Sequence, residues 1–119
     1  MAAHGRRLNT EPLPDDLQQA LDLFRSQFAE QLPARLAEAE AALAAWRTAP
    51  ADDDTLRALF RVLHRLAGSA GTFGMPLFGD ACRAIELQLE ELLARSDRTD
   101  ADVERMAQAI AQLHALPRA

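Results

Sequence analysis

Apolar residues recur every three or four positions from about residue 15 to residue 113, in four separate runs. This spacing places the apolar side chains on one face of an α-helix, and no segment shows the two-residue alternation of a half-buried strand. Four one-sided helices joined by short connections favour antiparallel neighbours. The sequence therefore predicts an all-α fold, specifically an antiparallel up-and-down four-helix bundle.

The first run is long and contains a proline. It begins near Asp15, and its apolar positions are Leu17, Leu21, Phe24, Phe28, Leu32, Leu36, Ala39, Leu43 and Trp46. Pro33 removes one backbone donor and crowds the carbonyl group of Ala29. We therefore expect a long first helix that is kinked near Pro33, with a complete break as the alternative.

Residues typical of helix ends separate the other three runs. The acidic run Asp52–Asp54 would cap the second helix, Gly74 would end it, and Pro76 suits the first turn of the third helix. Thr99 with Asp102 resembles a capping arrangement for the fourth helix. The predicted inward positions are Leu56, Leu59, Phe60, Leu63, Leu66, Ala67 and Ala70, then Phe78, Ala81, Cys82, Ile85, Leu89 and Leu92, then Val103, Met106, Ile110 and Leu113.

Length and composition limit the domain organisation. The chain has 119 residues, of which 49% are hydrophobic, which suits one domain with a modest core. We expect a flexible lead-in over residues 1–13 and a helical bundle over residues 14–119.

Charge and cysteine content argue against several functions. A formal net charge of -5 disfavours nucleic acid as a partner. The single cysteine, Cys82, allows neither an internal disulfide nor a cysteine metal cluster, and no metal site or cofactor is expected. Because no export signal or membrane span is recognisable, we expect a cytoplasmic protein without a membrane partner.

The only histidine of the second run, His64, lies on a helix face with few side chains. Residues i, i+4 and i+7 lie roughly above one another, so His64, Gly68 and Gly71 form one stripe. A glycine inside a helix costs ~1 kcal/mol relative to alanine. That cost suggests a use, and the stripe would leave the imidazole open to a large partner.

Glu86 is a candidate neighbour of His64. If the chain reverses around Met75, both residues are 11 positions from the turn and stand at the same height. A carboxylate beside one ring nitrogen would fix the tautomer and hold the other nitrogen outward. Spacing alone equally allows Glu86 to be an ordinary solvated residue.

The run His64-Arg65-Leu66-Ala67-Gly68-Ser69-Ala70-Gly71-Thr72-Phe73-Gly74, followed by Leu77, Ala81 and Ile85-Glu86, closely resembles the histidine-containing phosphotransfer (HPt) domain. Its Gly-Thr-Phe-Gly portion is especially similar to the phosphoacceptor domain of the chemotaxis kinase CheA. The resemblance extends from about Leu17 to Leu113.

This resemblance implies a function and a partner. His64 would accept a phosphoryl group and exchange it with an aspartate of a response-regulator receiver domain, which would supply the Mg²⁺ site. Gly68 would match the family glycine that admits the receiver, and Glu86 the family glutamate that hydrogen-bonds the histidine. A histidine kinase is a second candidate partner.

One position departs from the family pattern. A lysine commonly follows the histidine by three residues, and here that position is Ala67. Three arginines near the exposed side of His64 could supply positive charge instead, or could merely solvate the outer helix face. The predicted partner-binding residues are Arg57, Arg61, Arg65, Ala67, Gly68 and Gly71.

Three functions remain open at this point. The sequence has no phosphate-binding glycine loop, so a phosphorelay intermediate is favoured over an enzyme. Ala67 motivates an alternative, a non-phosphorylated adaptor that docks a receiver or kinase domain. The chain could also be the substrate domain of a larger kinase. The glycine stripe argues against a purely structural bundle.

Overall fold

Four α-helices make up most of residues 14–116, the part of the chain that the computed structural model describes. The helices are α1 (Asp15–Arg47), α2 (Asp53–Thr72), α3 (Pro76–Leu93) and α4 (Asp100–Leu113). No strand occurs within residues 14–116. The predicted all-α four-helix bundle is confirmed, whereas the predicted lead-in over residues 1–13 lies outside the described residues.

Contacts between the helices show that neighbours run antiparallel. Phe28 of α1 lies against Phe73 at the end of α2, and Arg65 of α2 faces Glu38 of α1. Arg47, at the end of α1, forms an ion pair with Glu104 near the start of α4. The packing between α2 and α3 is the most extensive in the bundle.

The long first helix is continuous. It contains 33 residues, which corresponds to a length of roughly 50 Å. Pro33 lies inside this helix with an exposed side chain, and the helix continues past it to Arg47. The alternative of a complete break at Pro33 is therefore wrong, and the kink stays a prediction.

The start of α1 differs from the expected core pattern. Leu17 and Phe24 were expected to face inward, but they are 45% and 48% exposed. The ring of Phe28 stacks on that of Phe73, with 5.4 Å between the ring centroids, at the level where α2 ends. Phe24 also contacts the end of α2, with 6.3 Å between its ring centroid and that of Phe73, although it is half exposed.

The core otherwise follows the predicted periodicity. The inward positions predicted for α2, α3 and α4 are buried, except that Phe60 and Ala81 are only partly buried. Gly79 of α3 packs directly against α2, because a Cβ atom there would be in ordinary van der Waals contact, 3.5 Å from the backbone of Ala67 and of Gly71. These two helices carry His64 and Glu86.

The turn between α2 and α3 lies where the sequence predicted it. Gly74 has a φ angle of +77°, a conformation that glycine adopts without a steric penalty. The N–H group of Met75 donates to the carbonyl oxygen of Ala70 over 2.9 Å. This is the 6→1 hydrogen bond of a Schellman motif, which joins residues five positions apart. Met75 is buried and helps to fix the hairpin geometry.

Arg98 joins the two loops at the opposite end of the bundle. Its side chain is 1% exposed and donates to Leu92 O over 2.8 Å and to Asp53 Oδ1 over 2.7 Å. It also donates to the carbonyl oxygens of Pro50 and Ala51. The local sequence around Arg98 gives no indication of this buried role.

Side-chain caps fix the starts of two helices. Asp52 accepts a hydrogen bond from Thr55 N at the start of α2. Thr99 and Asp102 form a reciprocal capping box at the start of α4, as their spacing predicted. Backbone hydrogen bonding by Thr99, followed by the Arg105 side chain, lowers the pKa of Asp102 to about 2. The carboxylate therefore remains ionised at any ordinary pH.

Candidate functional site

His64 on α2 and Glu86 on α3 stand opposite each other. His64 Nδ1 lies 2.6 Å from Glu86 Oε2, a distance typical of a charge-assisted hydrogen bond. The contact follows from the hairpin, because the two residues are equally far from the turn at Met75. Of the two interpretations left open by the spacing, the coordinates match the one in which Glu86 contacts the ring.

The two side chains differ strongly in exposure. The side chain of His64 is 66% exposed, whereas that of Glu86 is 10% exposed. A carboxylate can only accept, so Nδ1 carries the proton and donates to Oε2. Nε2 then keeps its lone pair, and a mostly solvated ring can present that nucleophilic nitrogen to another molecule.

Phe60 supports the plane of the imidazole. Its ring lies one helical turn before His64, with 6.0 Å between the ring centroids and 15° between the ring planes. Helical periodicity predicted only a core position for Phe60. Its position four residues before His64 could have indicated the contact, because such residues are neighbours on a helix surface.

The carboxylate of Glu86 has few interaction partners among the described residues. Its Oε1 atom is buried and has no hydrogen-bond partner among the described residues. Cys82 lies one turn earlier on α3, where burial and then the charge of Glu86 raise the pKa of its thiol to about 12. The thiol therefore stays neutral, and the hydrogen bond to His64 is the main interaction of this carboxylate.

The glycine stripe next to His64 is an open surface. Gly68 and Gly71 are both exposed, and a Cβ atom at either position would meet nothing within 4 Å. Neither glycine has a positive φ angle. Packing and backbone conformation within the described residues therefore give no reason for glycine at these two positions.

The predicted partner-binding arginines border this surface. Arg57, Arg61 and Arg65 are exposed. Arg57 lies 3.9 Å from Asp54, and Arg65 lies 3.8 Å from Glu38. Arg61 has no carboxylate within 4 Å among residues 14–116. Helical spacing puts Arg61 one turn and Arg57 two turns before His64 on α2, and Arg65 directly after it.

Ala67 does not lie on this surface. It is 1% exposed, and its carbonyl oxygen faces α3 near Gly79. Position 67 points toward the core, because on the helical wheel it lies between His64 and the buried residues of α2. The expectation that Ala67 contacts a partner is therefore corrected, since its side chain is covered by the protein's own helices.

No group of three or more histidine, cysteine, aspartate or glutamate residues is arranged to hold a metal ion in the described part of the chain. The helices described here also lack an apolar stretch long enough to traverse a lipid bilayer. The other described histidine, His114, forms a hydrogen bond with Glu40 on the far side of the bundle.

A protein-family model described as "Hpt domain" matches residues 23–117, which is most of the chain. The chain therefore belongs to the Hpt domain family, and the resemblance stated from the sequence is confirmed. Neither a search of curated proteins nor a search of solved structures found a match.

Family membership defines the general activity. Hpt domains carry phosphoryl groups on histidine in two-component phosphorelays, and they interact with response regulators and kinases.

Proposed function

We propose that this chain is a phosphorelay intermediate in which His64 carries a phosphoryl group to or from an aspartate of a response-regulator receiver domain. The observation that supports this most strongly is the 2.6 Å contact between a buried carboxylate and an exposed imidazole. It leaves Nε2 of His64 directed at solvent with its lone pair available.

The transfer step needs few groups from this chain. The lone pair of His64 Nε2 attacks the phosphorus of the receiver's aspartyl phosphate in line. The N–P bond forms, the P–O bond to the aspartyl group breaks, and aspartate leaves as a carboxylate. The proton on Nδ1 stays in the hydrogen bond to Glu86, whose charge offsets the positive charge that develops on the ring. The reverse step follows the same path.

The receiver contributes the remaining charge neutralisation. Its Mg²⁺ ion and lysine would stabilise the oxygens of the phosphoryl group during transfer, so this chain needs no resident metal or nucleotide. The exposed glycines Gly68 and Gly71 leave space for the receiver to approach Nε2. Arg57, Arg61 and Arg65 suit contact with the acidic side chains that hold a receiver's metal ion.

The non-phosphorylated adaptor is the second candidate, because Ala67 supplies no charge at a position level with the site. An adaptor requires the docking surface but not an available Nε2. The hydrogen bond of Glu86 to Nδ1 favours the phosphotransfer function, since docking alone gives no reason to fix the tautomer of an exposed histidine.

Phosphotransfer from receivers separates the two candidates. Phosphorylated receiver domains are incubated with the wild-type chain, with the His64→Gln variant and with the His114→Gln variant as the matched control. We expect an acid-labile, base-stable label on wild type and His114→Gln, and none on His64→Gln. Docking of a receiver without any transfer of label would support the adaptor, and label retained on His64→Gln would contradict the assignment of His64.

A further inference from the structure

A phosphoryl group on His64 would place about two negative charges near the carboxylate of Glu86. Cations close to the ring would reduce this repulsion. Arg57 and Arg65 each lie within 4 Å of a carboxylate of this chain. Two other arginines near the site, Arg61 and Arg83, have no such partner among the described residues.

The register of the hairpin places Arg83 level with position 67. The contact between His64 and Glu86 aligns α2 with α3 at these two residues. Antiparallel helices have the same rise per residue, so three residues after His64 on α2 correspond to three residues before Glu86 on α3. The close approach of Gly79 to Gly71 N is consistent with this alignment.

Arg83 also lies on the correct side of α3. It precedes Glu86 by three residues, a spacing that puts both side chains on neighbouring parts of one helix surface. Glu86 is directed toward His64. Arg83 lies one turn earlier on α3 and is exposed to solvent. Gly68, one residue after position 67, is exposed, and a Cβ atom there would meet nothing within 4 Å.

We propose that Arg83 binds the phosphoryl group on His64 Nε2 from α3, supplying the positive charge that Ala67 does not provide. This inference rests on the proposed phosphotransfer function. The long side chain would extend across the open surface at Gly68, and its guanidinium group can donate two parallel hydrogen bonds to phosphoryl oxygens. Arg83 has no carboxylate partner among the described residues. It can therefore bind the phosphoryl group without first losing an ion pair with one of them.

The test uses a small phosphodonor, so that no partner protein is needed. Phosphoramidate transfers its phosphoryl group to an imidazole: the N–P bond to His64 Nε2 forms, the donor's N–P bond breaks, and the donor nitrogen, which is protonated at neutral pH, leaves as ammonia. The proteins compared are wild type, Arg83→Gln, Arg83→Lys and Arg47→Gln. Arg47 is the matched control because it is an exposed arginine at the other end of the bundle.

Two quantities are measured: the rate of phosphorylation and the pH midpoint of the ³¹P signal of phosphohistidine. We expect Arg83→Gln to react about three- to tenfold more slowly, because a charge-assisted contact is lost. Its ³¹P midpoint should rise by roughly half a pH unit, because a nearby cation disfavours protonation of the phosphorylated imidazole. Arg83→Lys should keep a phosphorylation rate and a ³¹P midpoint close to those of wild type, because the positive charge is retained. Arg47→Gln should match wild type in both quantities.

The outcomes separate this inference from the proposed function. If wild-type His64 is phosphorylated but Arg83→Gln has the same rate and the same ³¹P midpoint, the role of Arg83 is wrong and the function stands. If His64 of the wild type accepts no phosphoryl group from phosphoramidate or from any receiver, both are wrong. A slower Arg83→Gln with an unchanged ³¹P midpoint would also overturn direct contact with the phosphoryl group.

Discussion

His64 and Glu86 form a hydrogen bond in which the imidazole is mostly exposed and the carboxylate is mostly buried. The chain contains a useful contrast, because His114 and Glu40 also form a hydrogen bond but are about equally exposed. Burial shields the charge of Glu86 from water, so that it acts more strongly on the ring. The difference in burial, rather than the presence of a His–Glu pair, distinguishes the proposed phosphoacceptor.

Removing the charge of Glu86 should slow phosphorylation. In Glu86→Gln the amide oxygen can still accept from Nδ1, so the ring orientation is retained while the stabilisation of positive charge is lost. We expect phosphorylation of His64 by phosphoramidate to be about tenfold slower or more. Glu40→Gln is the matched control and should leave the rate unchanged. Equal rates for Glu86→Gln and wild type would show that the charge of Glu86 has no part in the reaction.

Adding a side chain at Gly68 should separate stability from function. Gly68→Ala should raise the free energy of unfolding by about 1 kcal/mol, because alanine favours the helix and the new Cβ meets no atom within 4 Å. The same variant should slow transfer from a phosphorylated receiver, since the methyl group occupies the open surface beside His64. Urea unfolding and receiver-to-histidine transfer rates measure the two effects.

Gly74→Ala provides the comparison for that experiment. Gly74 has a φ angle of +77°, and a Cβ atom there would lie 2.9 Å from Arg25 Nε. This substitution should lower the free energy of unfolding by about 1 kcal/mol. A stabilising effect of Gly74→Ala, or an unstable Gly68→Ala, would contradict this account of the two glycines.

Asp102 should make the stability of the fold depend on acid pH. The folded state lowers the pKa of Asp102 from its ordinary value of 3.8 to about 2, first through the Thr99 backbone and then through Arg105. The contribution of Asp102 to the free energy of unfolding is therefore complete above about pH 4 and is lost as the pH falls through 2. Asp102→Asn should be less stable than wild type at pH 6, and the difference should shrink by pH 2. Urea unfolding at several pH values measures this, and a difference that is constant over the range would refute it.

Cys82 should react only when the protein unfolds. Burial, with the charge of Glu86, raises the pKa of its thiol to about 12, so the thiolate is scarce in the folded state at pH 8. We expect an alkylating reagent to modify Cys82 slowly in buffer and rapidly in concentrated urea. Mass spectrometry measures the extent of alkylation over time. Fast alkylation of the folded protein would contradict this expectation, because it would show that the thiol is accessible and ionised.

Local sequence signals predicted much of the bundle. The capping pair Thr99 and Asp102 and the glycine at position 74 fixed helix ends, because they act through hydrogen bonds and φ angles within a few residues. The symmetric spacing around Met75 brought Glu86 to His64, since both helices of a hairpin have the same rise.

Features that depend on distant partners were not predictable. Periodicity placed Leu17 and Phe24 in the core, but it does not report where the opposing helix ends. The buried role of Arg98 was not predicted, because two of the three carbonyl groups that it contacts belong to a loop 47 and 48 residues away. Ala67 was expected both inside the bundle and at a partner surface, and only the packing of α3 decides between these positions.

In the proposed mechanism, Glu86 holds Nδ1 of His64 and leaves Nε2 to carry the phosphoryl group. NMR spectroscopy of the ¹⁵N-labelled, phosphorylated chain identifies the nitrogen bonded to phosphorus most directly. We expect the phosphoryl group on Nε2 of His64, with a proton retained on Nδ1. Phosphorylation at Nδ1, or on a different side chain, would contradict it.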